Sequence, residues 1–192
     1  MVDDQGGTNP GGVFSARHSV VSDEPPISGP FGIITNADSQ PCARLLSAIG
    51  YGVKAPTADA WAEIGMVGPG GASLLEETVA AYPRGVAAEV VSDVAAAGST
   101  CRAVSSRRAN GAAISEPKSL IVPRVGDSSA GIEWPASSGG DASSNVLAVV
   151  QVGNSVIQIQ GTLLSSSKAS EFDRTLLDRA MVKAVARLRA AS

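Results

Sequence analysis

A chain of 192 residues has room for one domain, and 44% hydrophobic residues can bury a core; with aromatics at 4%, that core must be Val, Ile, Leu and Ala. A net charge of −3 leaves no basic field for a phosphate backbone, which excludes nucleic acid as a partner. No run approaches the roughly 18 apolar residues that span a bilayer, and no charged-then-apolar export signal follows Met1, so an exported protein would have lost its signal.

Residues 1–36 read as a flexible Gly/Pro/Ser-rich linker, because Asn9-Pro10-Gly11-Gly12, Pro25-Pro26 and Ser28-Gly29-Pro30 break any regular element. Such a tail suits a tether. Residues 37–192 read as a single α+β domain. It opens with a short helix, capped at Asp38/Ser39, with Pro41 near the first turn and Ala43, Leu45, Leu46 and Ile49 following; Gly50 stops it. The stretch 58–64, with Trp61, is expected to add a helical turn, and Gly68-Pro69-Gly70-Gly71 a plain turn. Leu74 to Tyr82 reads as a strand, ended by Pro83-Arg84-Gly85.

Val86, Val90, Val94 and Ala97 recur at helical spacing, with Gly98 as the expected stop. Strands are then expected at 101–105, 120–125 and 131–134, the last ending at Pro135, with a loop over 137–141. Asn145 to Leu164 is a hairpin about the Gly153-Asn154 turn, and a Gly-first two-residue turn fixes its register. Val150 then opposes Ile157 and Ala148 opposes Ile159 on one face, leaving Gln158 and Gln160 on the other. A C-terminal amphipathic helix follows from Ser170 to about Ala190, with Phe172, Leu176, Ala180, Ala184 and Leu188 repeating every four residues and Leu177, Met181 and Val185 widening the stripe. Its polar face mixes Asp with Lys and Arg, which argues against a membrane-surface helix. Runs of strands on short turns imply a largely antiparallel sheet of about five or six strands flanked by helices.

Chemistry is sparse. The sole histidine, His18, lies in the tail, away from any nucleophile it would serve. Gly126-Asp127-Ser128-Ser129 lacks the glycine spacing of a nucleophile elbow and reads as a turn. One His and two separated Cys make no structural zinc site, and no calcium loop or phosphate-binding glycine motif occurs. No catalytic, metal or cofactor site is therefore expected. Glu76, Glu77 and Asp127 are the carboxylates to watch, but a glycosidase arrangement needs two of them in one cleft. Trp61 and Trp134 either line a ligand cleft or fill the core.

The segment from Thr78 to Cys101 ends a strand in Tyr82-Pro83, continues in an Ala/Val helix and opens the next element with a cysteine. It resembles the extracellular sensor domain of PknH-like actinobacterial receptor serine/threonine kinases and related actinobacterial cell-envelope lipoproteins. Pro41-Cys42-Ala43-Arg44-Leu45-Leu46 looks like the earlier helix-borne cysteine of that family, and the late hairpin with its terminal helix looks like the family's ending. The resemblance implies an antiparallel sheet with helices, a cleft with an unknown ligand, and a structural Cys42–Cys101 disulfide. Such a bridge would close a loop of about 60 residues, worth about 4 kcal/mol in chain entropy. The kinase sensor domains carry a second disulfide, for which no cysteine remains here, so a lipoprotein-like relative fits better than a receptor kinase.

Together these readings lead to a non-catalytic extracytoplasmic ligand-binding or sensor domain, secreted or anchored in the cell envelope. Its expected partner is an unknown small molecule, lipid or glycan, or an envelope protein, with a membrane reached only through an N-terminal anchor. A structural or protein-interaction module without a small ligand is the alternative.

Overall fold

In a computed structural model, the protein is described over residues 15–22, 33–37, 42–45, 58–67, 73–101, 104–107, 113–114, 117–138, 141–163 and 173–191. Six long strands make the body of one antiparallel sheet, in the order β1 (Ser15–Ser22), β3 (Ala60–Val67), β4 (Ser73–Ala81), β10 (Ser155–Leu163), β9 (Asp141–Val152), β8 (Ser128–Ser138). Beyond β8 the sheet continues through the short strands β6 (Ala113–Ile114), β5 (Val104–Arg107) and β2 (Ile33–Ala37), while β7 (Lys118–Ser119) pairs with β8 separately. Helical residues 42–45 (α1) and helix α2 (Val86–Thr100) precede the β5–β10 region, and α3 (Arg174–Ala191) closes the chain. The α+β class, the antiparallel sheet and the C-terminal helix are as the sequence implies.

The central hairpin has the expected register, with Val150 opposite Ile157 and Ala148 opposite Ile159. Gly153 sits at φ +59°, the left-handed backbone its turn requires. Side-chain alternation then divides the core between two faces. On one, α2 buries Ala87, Val90, Val91, Val94 and Ala97 against Ala130, Ile132, Trp134, Leu147, Val149 and Val156. On the other, α3 buries Leu177, Met181, Ala184 and Val185 against Val146, Ala148, Val150, Ile157 and Ile159. The buried stripe of α3 thus centres one residue along from the expected repeat, with Leu176, Ala180 and Leu188 at its margin. Asp173 caps that helix, its Oδ1 accepting from the backbone N–H of Thr175 at 2.9 Å.

Several local expectations are corrected. Segment 58–64 is not helical: Ala60–Val67 is strand β3, paired along its length with β4 from Ala60↔Ala81 to Val67↔Leu74. Its Ala, Glu and Met favour helix locally, but cross-strand pairing on both edges prevails. The turn expected at 68–71 lies outside the described residues. Two segments of the 1–36 linker are strands, β1 and β2, because the breakers sit at 9–12 and 25–30 and leave Ser15–Ser22 and Ile33–Ala37 clear of them. Residues 120–125 are not a strand: β7 ends at Ser119, and Pro123 has no N–H for a ladder. The strand expected at 131–134 runs from Ser128 to Ser138, through Pro135, which pairs with Ser144 where β7 has ended and β6 meets only Ala136. The 137–141 loop shrinks to the two residues between Ser138 and its partner Asp141. The strand expected from Cys101 begins at Val104. Leu46, Ile49, Gly50 and Phe172 lie outside the described residues.

Helix α2 runs through Gly98 to Thr100, so that glycine has another purpose. A Cβ on it would lie 2.5 Å from Ser119 Oγ and 2.9 Å from Ser119 Cα. The glycine lets α2 approach β7 backbone to backbone. Three residues on, Cys101 reaches Cys42 on α1, and the two form a disulfide with their Cα atoms 4.8 Å apart.

Two outcomes follow from this packing. Gly98→Ala gains about 1 kcal/mol of helix propensity but forces α2 off a strand backbone that cannot yield, so denaturant titration will show a net loss of about 1–3 kcal/mol. Replacing Cys42 and Cys101 together with Ser will cost about 4 kcal/mol and lower the thermal midpoint by about 10 °C, read by calorimetry.

Candidate functional site

The face that α2 covers is apolar on only one half. Beneath the helix, on β8 and β9, stand Ala130, Ile132, Leu147 and Val149, all buried. Followed across the register onto β10, β4 and β3, the same rows turn polar. One row continues from Val149 through Gln158 and Thr78 to Glu63, and the next from Leu147 through Gln160 and Glu76 to Gly65. A third runs from Val156 through Ala80 to Trp61. Residues directly opposite in an antiparallel sheet share a face, so these side chains form a continuous strip.

The strip deepens from β3, one strand in from the edge strand β1, toward β10. Glu63, Gly65, Glu76, Thr78 and Gln158 are half-buried, whereas Gln160 is only 4% exposed. Among the described residues the Gln160 amide nitrogen has no hydrogen-bond partner, and neither has the indole nitrogen of Trp61. Leaving a buried donor unmatched costs about 1–3 kcal/mol. Thr78 donates its hydroxyl to Glu63 Oε2 at a long 3.4 Å. Beside Glu76, an added Cβ at Gly65 would meet no described atom within 4 Å. The strip therefore has room at Gly65, two carboxylates as acceptors, and two buried donors.

Burial raises the Glu76 carboxyl above its ordinary 4.5, and the negative charge of Glu63 raises it further. Its sequence neighbour Glu77 points to the α3 face; burial raises it too, but Arg187 and Lys183 pull it back. Adjacent carboxylates thus have opposite surroundings, one given counter-charges and the other set beside a like charge.

The sequence candidates are dispersed. Glu76 and Glu77 face opposite sides, and the carboxylate that joins Glu76 is Glu63, which the helical reading of 58–64 concealed. Asp127 is taken up in structure: its Oδ2 accepts from the Gly153 N–H at 2.7 Å and fastens the central turn. Trp61 and Trp134 share the α2 face but stand four strands apart, about 19 Å across the sheet at ordinary strand spacing, and six residues apart along it. Trp134 is packed in the α2 core, and Trp61 flanks the polar strip. His18 is held at its backbone, opposite Gly65 on β3, rather than lying in a free tail. Cys42 and Cys101 are joined, far from the strip's acidic end. Among the described residues, no three His, Cys, Asp or Glu side chains gather where they would hold a metal, and no helix is long and apolar enough to cross a membrane.

One antiparallel sheet with helices on both faces places the chain in the α+β class found in a mycobacterial extracellular domain. Specifically, it has the fold of the extracellular domain of PknH from Mycobacterium tuberculosis, with a TM-score of 0.57 at 10% identity over 92% of this chain and 86% of that one. It is also similar to a putative uncharacterized protein, the Rv0999 ortholog, from Mycobacterium smegmatis, with a TM-score of 0.50 at 14% identity over 90% and 87% of the two chains. The likeness is one of fold. No protein-family model matches the sequence, and no curated protein does.

The raised Glu76 value has a definite sign in stability. Folded Glu76 holds its proton to a higher pH than the unfolded chain does, so its contribution is complete below about 4.5 and is lost as pH rises through the folded value. Glu76→Gln will gain stability relative to the wild type between pH 4 and 7, measured by urea unfolding across that range. A difference that does not change with pH would mean that burial does not raise this group.

Proposed function

We propose that the protein is a non-catalytic extracytoplasmic binding or sensor domain of the cell envelope, and that its ligand lies on the polar strip of β3, β4 and β10. The observation that carries this reading is Gln160, a buried amide with an unmatched donor on the face that α2 leaves open. The shared fold with the extracellular domain of PknH supports an extracytoplasmic location. The disulfide supports it too, since such bridges persist in oxidising compartments. The ligand is a small molecule, lipid or glycan small enough to seat between half-exposed side chains.

The second reading, a module that binds an envelope protein without a small ligand, is favoured by Ile121, which is 93% exposed beside Val122 and Pro123. A partner covering that loop would bury it.

A thermal-shift screen with envelope lipids, glycans and short peptides separates the two. Ligand at 100 times its Kd raises stability by about 2.7 kcal/mol, a shift of roughly 5–10 °C. A shift that Glu76→Ala abolishes is the expected result. No shift with any class, together with two free thiols in protein recovered from an oxidising compartment, would overturn the reading. Release of cleaved product from a glycan would overturn its non-catalytic part.

A further inference from the structure

The strip makes two kinds of demand. Glu63 and Glu76 are acceptors on adjacent strands, two residues apart in register, so that what meets them must donate. The buried Gln160 amide nitrogen and the Trp61 indole nitrogen are donors without partners, so that what meets them must accept. A simple cation or an ammonium group satisfies the first pair and repels the second, since Lys-type nitrogen has no acceptor. A phosphate or carboxylate reaches only one donor at a time and is repelled by the carboxylate beside it, Glu76 next to Gln160 and Glu63 next to Trp61. A hydroxyl does both, donating with its hydrogen while accepting at its oxygen. Several hydroxyls on one rigid frame do so at fixed spacing with little ordering cost.

The open space at Gly65 lies at the outer end of the row that carries Gln160 and Glu76, beside both carboxylates. A side chain there would fill the floor of the strip. The row on one side offers Thr78 and Glu63, and the Trp61 ring closes that end with an aromatic surface and a polar nitrogen. Sites that bury polar groups select strongly for ligands that complete their hydrogen bonds, because any other occupant leaves those groups unmatched.

We propose that the β3–β4–β10 strip is the floor of a site for a neutral carbohydrate of two or more linked rings, long enough to run from Gln160 and Glu76 to Glu63 and Trp61, with Glu63 and Glu76 accepting from its hydroxyls and Gln160 and Trp61 donating to them. The proposal rests on the binding-domain reading and names its ligand class. Protonation of Glu76, made easier by burial, does not disable the site, because a protonated carboxyl still accepts at its second oxygen.

The test uses the full chain with 15N labelling and titrates maltose, cellobiose, lactose and gentiobiose against spermidine, calcium chloride and inorganic phosphate. The expected result is a saturable shift of the Gly65 and Thr78 backbone amides and of the Gln160 side-chain amide with at least one of the neutral sugars, and with none of the ions. Gln160→Leu exchanges an unmatched buried amide for an apolar group of similar size. It will fold with an equal or higher thermal midpoint yet weaken sugar binding roughly tenfold or more, a pairing that a structural role for Gln160 does not give. Glu76→Ala will weaken it similarly. Shifts at the strip with spermidine, calcium or phosphate instead of sugars would overturn the proposal, as would sugar binding left intact by both variants. No sugar binding, with lipids or peptides still raising the thermal midpoint, would overturn the carbohydrate assignment and leave the binding-domain reading standing.

Discussion

The pairing of β9 with β10 around Gly153 sets the parity of every long strand in the sheet. Side chains alternate, so a slip of one residue would turn Ile157 and Ile159 to the α2 face and Gln158 and Gln160 to the α3 face, against Val150 and Ala148. Both cores would be lost at once. Several groups hold the turn against such a slip: Asp127 accepts from the Gly153 N–H, Gln151 donates to the Gly153 carbonyl at 3.0 Å, and Tyr82 donates its N–H to the Asn154 carbonyl at 2.9 Å. The two helices read the parity thus fixed, α2 on one face and α3 on the other. The disulfide then ties the end of α2 to α1, and Gly98 lets α2 sit close enough to β7 for that geometry.

The faces are not used alike. The helix α3 brings Arg187 and Lys183 to Glu77, and it pins its first turn to β8 through Arg174 and Glu133, 2.6 Å apart. Its charges are answered by the sheet. The helix α2 lies over β8 and β9 and leaves β4 and β3 to polar side chains. Its own acidic residue Asp93, raised by burial, is met by Arg44 of α1 at 3.7 Å rather than by anything on the strip. The helix therefore walls the polar strip on one side without neutralising it.

How much of this the sequence could show depends on the range of the interactions involved. The central hairpin was legible because a two-residue turn and strict alternation are local and agree. The helices α2 and α3 were legible from their period, though not that α2 continues past Gly98, since the approach of Ser119 is a contact between distant residues. Strand β3 was not legible: Ala60-Trp61-Ala62-Glu63 carries no strong β signal, and only its two partners make it a strand. With β3 misread, Glu63 had no place beside Glu76. The Gln158–Gln160 alternation was visible, but it reads as a solvated face until burial is known. A pair of registers, β3 on β4 and β4 on β10, builds the site, and no single stretch of sequence contains it.

The contrast between residues 76 and 77 is the strongest sign that the strip has a purpose apart from folding. A carboxylate that is buried for packing alone gains nothing from a like charge, and the fold shows, at Glu77, how a counter-charge is supplied. Among the described residues the same remedy is missing at Glu76 on the α2 side, and Gln160 adds a second unmatched cost at the next strand. Leucine at position 160 would extend the row of Ile132 and Leu147 and remove the penalty. A sheet consistent in its turns, alternation and capping, yet costly in one three-strand patch, departs from its own pattern where a ligand would compensate. The stability given up there is the expected signature of a site arranged for something other than the protein itself.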